Sequence, residues 1–536
     1  MAAALSWPVR RYEVVTLLIA CLSCGGIQNE PRTDSTVASP SAAVADTQVA
    51  MPTPVVAEAA SPSDAPLEGP LDAGAALRAQ TAAQQALFEE TFPLYGVSYH
   101  YLAQIFSEPS SRGIVVGYMR RGAQFRAKPA VHGNGCNDTW HEVVGGGFIC
   151  RNRGYQLGTT PQTFEPSPIA ASLYDALPYA YAKTFRSDVP QYWRIPTLEE
   201  EARVKQHIDE VRAQPAIAKE TNAEPAGVVT TGNVTTTTSV ASTNAKAATA
   251  DAGVALSAVE NVLPEILRMR MLPGFYVSVD RAEQSDDGRE FYRTVRGAYV
   301  PAAAFEQTTP PDARGIVLGG AWSLPVGFVY RGGTKTLRRE DDAFRVIGDL
   351  ERHTPLRLSP DVLVQKNERY RTDDEGHTVR ESALRIAEPV ARPREVKETD
   401  RWIHIRLSQQ LLVAYQGDTP VFTTVMSSGR EGFETPAGLY RIQSKHVSTT
   451  MQNTNMADEA YSIEDVPWTM YFEGGYALHA AFWHDSFGRT RSHGCINLSP
   501  ADARWLFQWT TPALPLAWHG MIATNQNPGT WVWIEP

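Results

Sequence analysis

Two stretches that cannot build a core divide this chain before any motif does. The first, from Asn29 to Pro70, reads NEPRTDSTVASPSAAVADTQVAMPTPVVAEAASPSDAPLEGP; the second, about residues 223–253, reads AEPAGVVTTGNVTTTTSVASTNAKAATADAG. Small, polar and proline residues dominate both, and apolar residues recur at neither the strand nor the helix period. Such segments bury too little apolar surface to offset their ordering entropy, so they are expected to be disordered. The chain therefore parses into a leader (1–20), a tether (21–84), a β module with a flanking helix (85–215), a linker (216–257), a second β-rich region (258–398) and a C-terminal domain (399–536). At 536 residues, length alone allows roughly three or four domains of ~150 residues. The formal net charge is −10, with no basic cluster, which argues against a nucleic-acid partner. Abundant Gly and Pro (39 and 37) punctuate short alternating runs, so the fold class is mainly β and multidomain.

The leader pairs Arg10 and Arg11 with an apolar run from Val14 to Ala20. A helix needs about 20 apolar residues to cross a bilayer, so this run reads as an export signal. Its end, Leu18-Ile19-Ala20-Cys21, resembles the lipobox of bacterial lipoproteins. The resemblance implies lipidation of Cys21, with Cys24 as the alternative acceptor, and an exported, periplasm-facing chain that meets the membrane only through its lipid. Leu22 after Cys21 is not the aspartate associated with inner-membrane retention, which favours the outer membrane.

In the first ordered block, GIVVGYMRRGAQFRAKPAVHGNGCNDTWHEVVGGGFICRNRGYQLG alternates Val-, Tyr- and Phe-rich runs with Gly-rich turns. It resembles the small SH3-like barrels of bacterial wall proteins, and FYRTVRGAYVPAAAFE and RYRTDDEGHTVRESALRIAEP echo it further on. In an exported chain the simplest reading of Cys136 and Cys150 is a disulfide. The segment TLEEEARVKQHIDEVRAQ has helical spacing at Val204, Ile208 and Val211 and reads as a solvated surface helix.

His479, His484, His493 and Cys495 crowd together in a chain with only 12 histidines and 5 cysteines. Upstream, RWIHIRLSQQLLVAYQGDTPVFTTVMSSG predicts three strands with a turn at Gly417–Pro420; downstream, Ser499-Pro500-Ala501-Asp502 has the N-cap, Pro and early acid of a helix start. Lone cysteines are often inert core residues, but Cys495 follows His493 and Gly494 in a polar loop. Glycine there permits close backbone approach and converging N–H groups, as an oxyanion hole requires. A neighbouring histidine would take the thiol proton and bring its pKa from about 8.5 towards neutrality. These parts describe a cysteine acyl-transfer site needing no metal or other cofactor; a zinc site built from the same His and Cys residues is the rival, although its spacing matches no zinc pattern.

At this point the segment resembles the catalytic domain of the L,D-transpeptidases (YkuD type). The motif is a histidine, here His479, followed by Ser492-His493-Gly494-Cys495-Ile496-Asn497, and GREGFETPAGLYRI resembles the family's upstream glycine followed by Thr-Pro-x-Gly. The resemblance implies a β-sandwich-like domain acting on peptidoglycan stem peptides. Cys495 would be the nucleophile, His479 the general acid/base and His493 a support for the thiolate, with the Gly494 and Cys495 N–H groups facing the oxyanion. The reaction implied is release of D-alanine from a tetrapeptide stem and formation of a 3→3 crosslink. Ala480 departs from the family's usual glycine; it would be strained only if its φ were positive. Ser492, Asn497, Arg489, Arg491, His484 and Trp483 are candidates for binding substrate, although a solvent-facing loop role for His484 and a loop-bracing role for Asn497 are the blander readings. The same acyl-enzyme would also serve carboxypeptidase or endopeptidase hydrolysis, or attachment of a protein to the wall. An inactive wall-binding lipoprotein is the alternative from another class.

Overall fold

A computed structural model of the chain describes residues 82–213, 265–341, 343–453 and 460–536. The leader, Cys21, Cys24, the tether up to residue 81 and the whole of the expected linker lie outside them. The mainly β expectation holds: strands gather into several sheets, and helices are few.

The C-terminal domain is built from two facing sheets. One has the order Ile316–Val317, Thr419–Val425, Leu411–Gln416, Arg401–Arg406, Trp531–Glu535, Gly438–Arg441. The other centres on the long hairpin Ser444–Asn453 and Tyr461–Glu473, extended by Tyr476–Ala480 and Ile496–Leu498. Ile403, Ile405, Leu412, Trp468, Met470, Phe472 and Leu478 fill the space between them. The helix Pro500–Trp509 starts where the sequence puts it: Ser499 caps by accepting from the Asp502 N–H, and Leu506 and Phe507 enter the core. Its C-terminal carbonyls receive two hydrogen bonds from the fully buried Lys445, Nζ to the carbonyls of Phe507 and Thr510.

The N-terminal strands do not divide at the linker. Leu94–Ser98 to Tyr155–Gly158 form one unit, which contains the disulfide expected between Cys136 and Cys150. Ala180–Thr184 and Val189–Tyr192 instead pair across the gap with Tyr276–Gln284 and Leu267–Met271. The boundaries at 215 and 258 therefore separate stretches of sequence but not folding units. Closing an excursion of that length adds only slowly to the entropy cost, so sheet partners can sit on either side of it. The helix Leu198–Ala213 belongs to this unit. Its Val204 and Ile208 are buried against Tyr192, Ile266, Leu267 and Phe291, so it is amphipathic rather than solvated on all sides.

The two echoed sequences are a structural repeat. Glu290–Thr294, Tyr299–Pro301, a single 3-10 turn at Ala302–Ala304 and Phe305–Gln307 recur as Glu368–Asp373, Thr378–Arg380, a 3-10 turn at Glu381–Ala383 and Leu384–Ala387. The second copy sits in a seven-stranded unit from Val326–Val329 to Leu384–Ala387.

Both N-terminal units are stitched to the long hairpin by backbone pairing, at Tyr276 with Ile463 and through Gly520–Ile522 at Tyr118. Beneath this seam lies an ionic knot. Asp465, fully buried, takes a 2.6 Å ion pair from Arg120 and hydrogen bonds from Ser278 (2.5 Å) and Ser448 (3.2 Å). Burial alone would raise its carboxyl, but Arg120, Arg296 and the Ser278 hydroxyl outweigh this and hold it at about 2.

Candidate active site

Strand pairing unites the two halves of the motif. Tyr476–Ala480 runs parallel to Ile496–Leu498 with His479 opposite Asn497. Cys495 sits immediately before the second of these strands, its thiol within reach of the Ala477 N–H, two residues before His479. His479 is buried, and its Nδ1 lies 3.0 Å from the carbonyl of Ala480. A carbonyl only accepts, so Nδ1 carries the proton and the Nε2 lone pair is left to act as a base. Ala480 is not among the residues with positive φ, so the departure from glycine is unstrained and its carbonyl supplies the orienting contact.

Cys495 is the free cysteine among the described residues and is half-buried, its Sγ 3.7 Å from the carbonyl of Gly475. Burial pushes its thiol up to about 11, against a hydrogen bond from the Ala477 backbone. Burial likewise brings the His479 imidazole down to about 4, opposed by its bond to Ala480. The resting pair at neutral pH is thus a thiol and a neutral imidazole. This corrects the expected near-neutral thiol: desolvation penalises both charged forms more than either neighbour relieves it.

A network of short bonds shapes the cysteine loop. Ser492 Oγ donates to the Cys495 carbonyl (2.5 Å) and accepts from the Gly494 N–H (3.1 Å). The Gly494 N–H is therefore occupied within the loop, contrary to the oxyanion role expected for it; the Cys495 N–H is the remaining candidate. Gly494 has φ +110°, and a Cβ there would come within 2.5 Å of the Tyr476 ring. Its carbonyl accepts from Thr435 Oγ1 (2.8 Å), and Thr435 in turn accepts from the Gly429 N–H (3.0 Å). A Cβ on Gly429 would lie 1.9 Å from the Phe433 carbonyl. Backbone bonds from Arg430 N to the Ser492 carbonyl (3.0 Å) and from Ser492 N to the Ser428 carbonyl (3.0 Å) complete the brace. The stretch from Gly429 to Gly438 is a jig for the cysteine loop, a role its spacing alone does not reveal.

The other candidates separate. His493 is exposed at the rim, stacked on Tyr461 (5.2 Å), edge-on to Phe433 (4.7 Å) and 3.1 Å from the Arg430 guanidinium. Tyr461, which no sequence signal marked, is close enough to Cys495 for a thiolate to raise its own pKa, although burial is the larger cause. His484 is buried rather than exposed. The Ser486 N–H donates to its Nδ1 (3.1 Å), so the neutral ring is protonated on Nε2, and the Asn497 amide meets that atom at 2.9 Å. The atom placed there is Nδ2, which cannot bond another N–H; with the amide turned over, Oδ1, otherwise buried without a partner, accepts from Nε2–H. Trp483 stacks on His479 at 5.7 Å. Arg489 reaches the Tyr330 ring, 6.0 Å away, and Arg491 is exposed beside the loop. Among the described residues no three His, Cys, Asp or Glu side chains are arranged to hold a metal ion.

Residues 400–534 match the sequence profile of the L,D-transpeptidase catalytic domain (YkuD). No curated protein matched the chain. Similar solved structures include a mutant L,D-transpeptidase from Enterococcus faecium, at 22% identity over 28% of this chain and 55% of that one, TM-score 0.21. Others are an L,D-transpeptidase from Mycobacterium smegmatis (18% identity, 34% and 82% covered, TM-score 0.22) and L,D-transpeptidase 3 from Mycobacterium tuberculosis with a faropenem-derived adduct (20% identity, 25% and 60% covered, TM-score 0.21). The match spans about half of the first of these chains.

Proposed function

We propose that the chain is a peptidoglycan L,D-transpeptidase that forms 3→3 crosslinks through a cysteinyl acyl-enzyme. The observation that carries this reading is His479, its Nδ1–H tied to Ala480 and its Nε2 left as a base on the strand paired with the cysteine loop. Because the resting pair is neutral, His479 takes the thiol proton as the sulfur attacks the carbonyl of the third stem residue. The C–N bond to D-alanine then breaks, and the same proton leaves with the amine. In the second half-reaction the side-chain amine of another stem attacks the thioester; His479 takes its proton and the sulfur departs as the thiol. General acid–base assistance of this kind is worth about 10²–10⁴-fold. Lipidation of Cys21, with the length of chain that follows it, would let an exported domain reach the wall from its membrane.

Mass spectrometry of the purified chain incubated with a disaccharide-tetrapeptide, beside Cys495→Ala, tests the reading. Cysteine-dependent loss of D-alanine with a dimeric product supports it. Loss of D-alanine with only monomeric tripeptide would make the enzyme a carboxypeptidase, and no loss with either protein would sink the acyl-enzyme altogether.

A further inference from the structure

Beside the catalytic cluster is a cavity of ≈ 350 Å³ with two unlike walls. One wall is the catalytic loop, Phe482 to Asp485. The other comes from the N-terminal β unit, where Lys183 lies directly opposite Tyr276 on one neighbouring strand and directly opposite Glu306 on the other. Residues in register across adjacent strands share a face, so Tyr276, Lys183 and Glu306 form one row, and all three line the cavity. Tyr276 closes against Phe482 at 5.4 Å and Trp483 at 6.4 Å. Trp483 in turn stacks on His479, so the cavity opens one ring away from the proposed base.

A cross-strand Lys–Glu pair is ordinarily a minor surface contact. Here neither side chain forms an ion pair within 4 Å among the described residues, whereas Asp485 on the other wall is already taken by Arg352 and His353. Thr308, also lining the cavity, has a buried Oγ1 without a hydrogen-bond partner. The space thus offers one cation and one anion over an aromatic floor.

We infer that this cavity is a specificity subsite for a free α-amino-acid end carried on a short aliphatic chain, with Lys183 facing its carboxylate and Glu306 its ammonium. The inference rests on the transpeptidase reading and deepens it: a diamino acid in the third position of the donor stem would lay its side chain across Trp483 and place its far end on the row. Lys183 and Glu306 are positioning residues that read the donor without touching the reacting carbonyl.

The test compares two synthetic tetrapeptides as donors to the full chain, one with meso-diaminopimelate and one with L-lysine in the third position. Lysine keeps the terminal ammonium and lacks the carboxylate. D-alanine release should favour the diaminopimelate stem, and Lys183→Gln should cut the ratio of the two kcat/KM values by about 10- to 100-fold, the worth of one charge-assisted hydrogen bond. Lys183→Arg should restore most of that ratio, and Glu306→Gln should slow both stems. An unchanged ratio in Lys183→Gln overturns the subsite while leaving the transpeptidase reading intact. If the wild type releases D-alanine from neither stem, that reading falls, and the cavity is tested by tryptophan fluorescence with free diaminopimelate: quenching lost in Lys183→Gln supports it, and no quenching overturns it.

Discussion

The strand Tyr461–Glu473 serves two regions built on opposite electrostatic plans. Towards its two ends, Tyr461 and Tyr471 stand close enough to Cys495 for a thiolate charge to act on both. At Asp465 the same strand enters the ionic knot shared with Arg120, Ser278 and Ser448. Both places are desolvated. In the knot, charge is retained because each charged group is surrounded by partners, and the carboxyl stays ionised down to about 2. At the site, the thiol and the imidazole have few partners and burial keeps both neutral. Groups that hold units together are charged and paired, while the groups proposed to react are uncharged and left with capacity to spare.

That contrast can be broken from either side. The largest effect expected is that of Cys495→Ala, which should abolish acyl transfer with little change in Tm, measured by D-alanine release beside thermal unfolding. Asp465→Asn should do the reverse. Removing one partner of a buried ion pair typically costs about 3–5 kcal/mol, so urea unfolding should show that loss, and a shift below ~1 kcal/mol would mean that the knot is solvated.

The next difference lies in pH. With His479 at about 4, the acid limb of kcat/KM should fall near pH 4 rather than near the ordinary histidine value. A limb between pH 6 and 7 would instead indicate that His479 titrates as an ordinary, hydrated imidazole. Stability should follow the same groups. His479 and His446 are both brought down to about 4, so between about pH 6.5 and 4 the unfolded chain binds more protons than the native one. Their contribution is complete above about 6.5 and is lost as the pH falls towards 4.

Two smaller changes sharpen the picture of the loop. Ser492→Ala frees both the Cys495 carbonyl and the Gly494 N–H, and should lower kcat by about tenfold, the worth of one to two neutral hydrogen bonds. Steady-state kinetics reads this directly, and an unchanged kcat would show that the loop holds its shape without Ser492. Smallest of all, Ala480→Gly should leave kcat unaltered and reduce stability by about 0.5–1 kcal/mol, as glycine does within a strand. A marked gain in kcat would mean that alanine strains the orienting carbonyl.

Much of the site could be read from the chain because its signals are local. His479, Ser492, Gly494 and Cys495 lie on one short stretch, and the cap at Ser499 and the turn at Gly417 depend on their immediate neighbours. The disulfide was legible because Cys136 and Cys150 stand 14 residues apart on neighbouring short strand-like runs. The burial of His484 was not legible, since it depends on Phe487 and Asn497 closing over a loop that looks polar in sequence. Nor could the spacing of Thr435 and Gly429 disclose that they hold Gly494 from 59 and 65 positions away.

By itself, then, the sequence determined which residues are the candidates for chemistry and where its strands, turns and helix starts are expected, because reactivity and local order depend on residue type and near neighbours. Only the tertiary structure decided that β strands on either side of the 214–264 segment share one unit, that Lys183 and Glu306 face Trp483, and that the thiol and the imidazole rest uncharged. Each of these depends on which distant segments exclude water from a given atom, and desolvation is a property of the packed molecule that no short window of sequence contains.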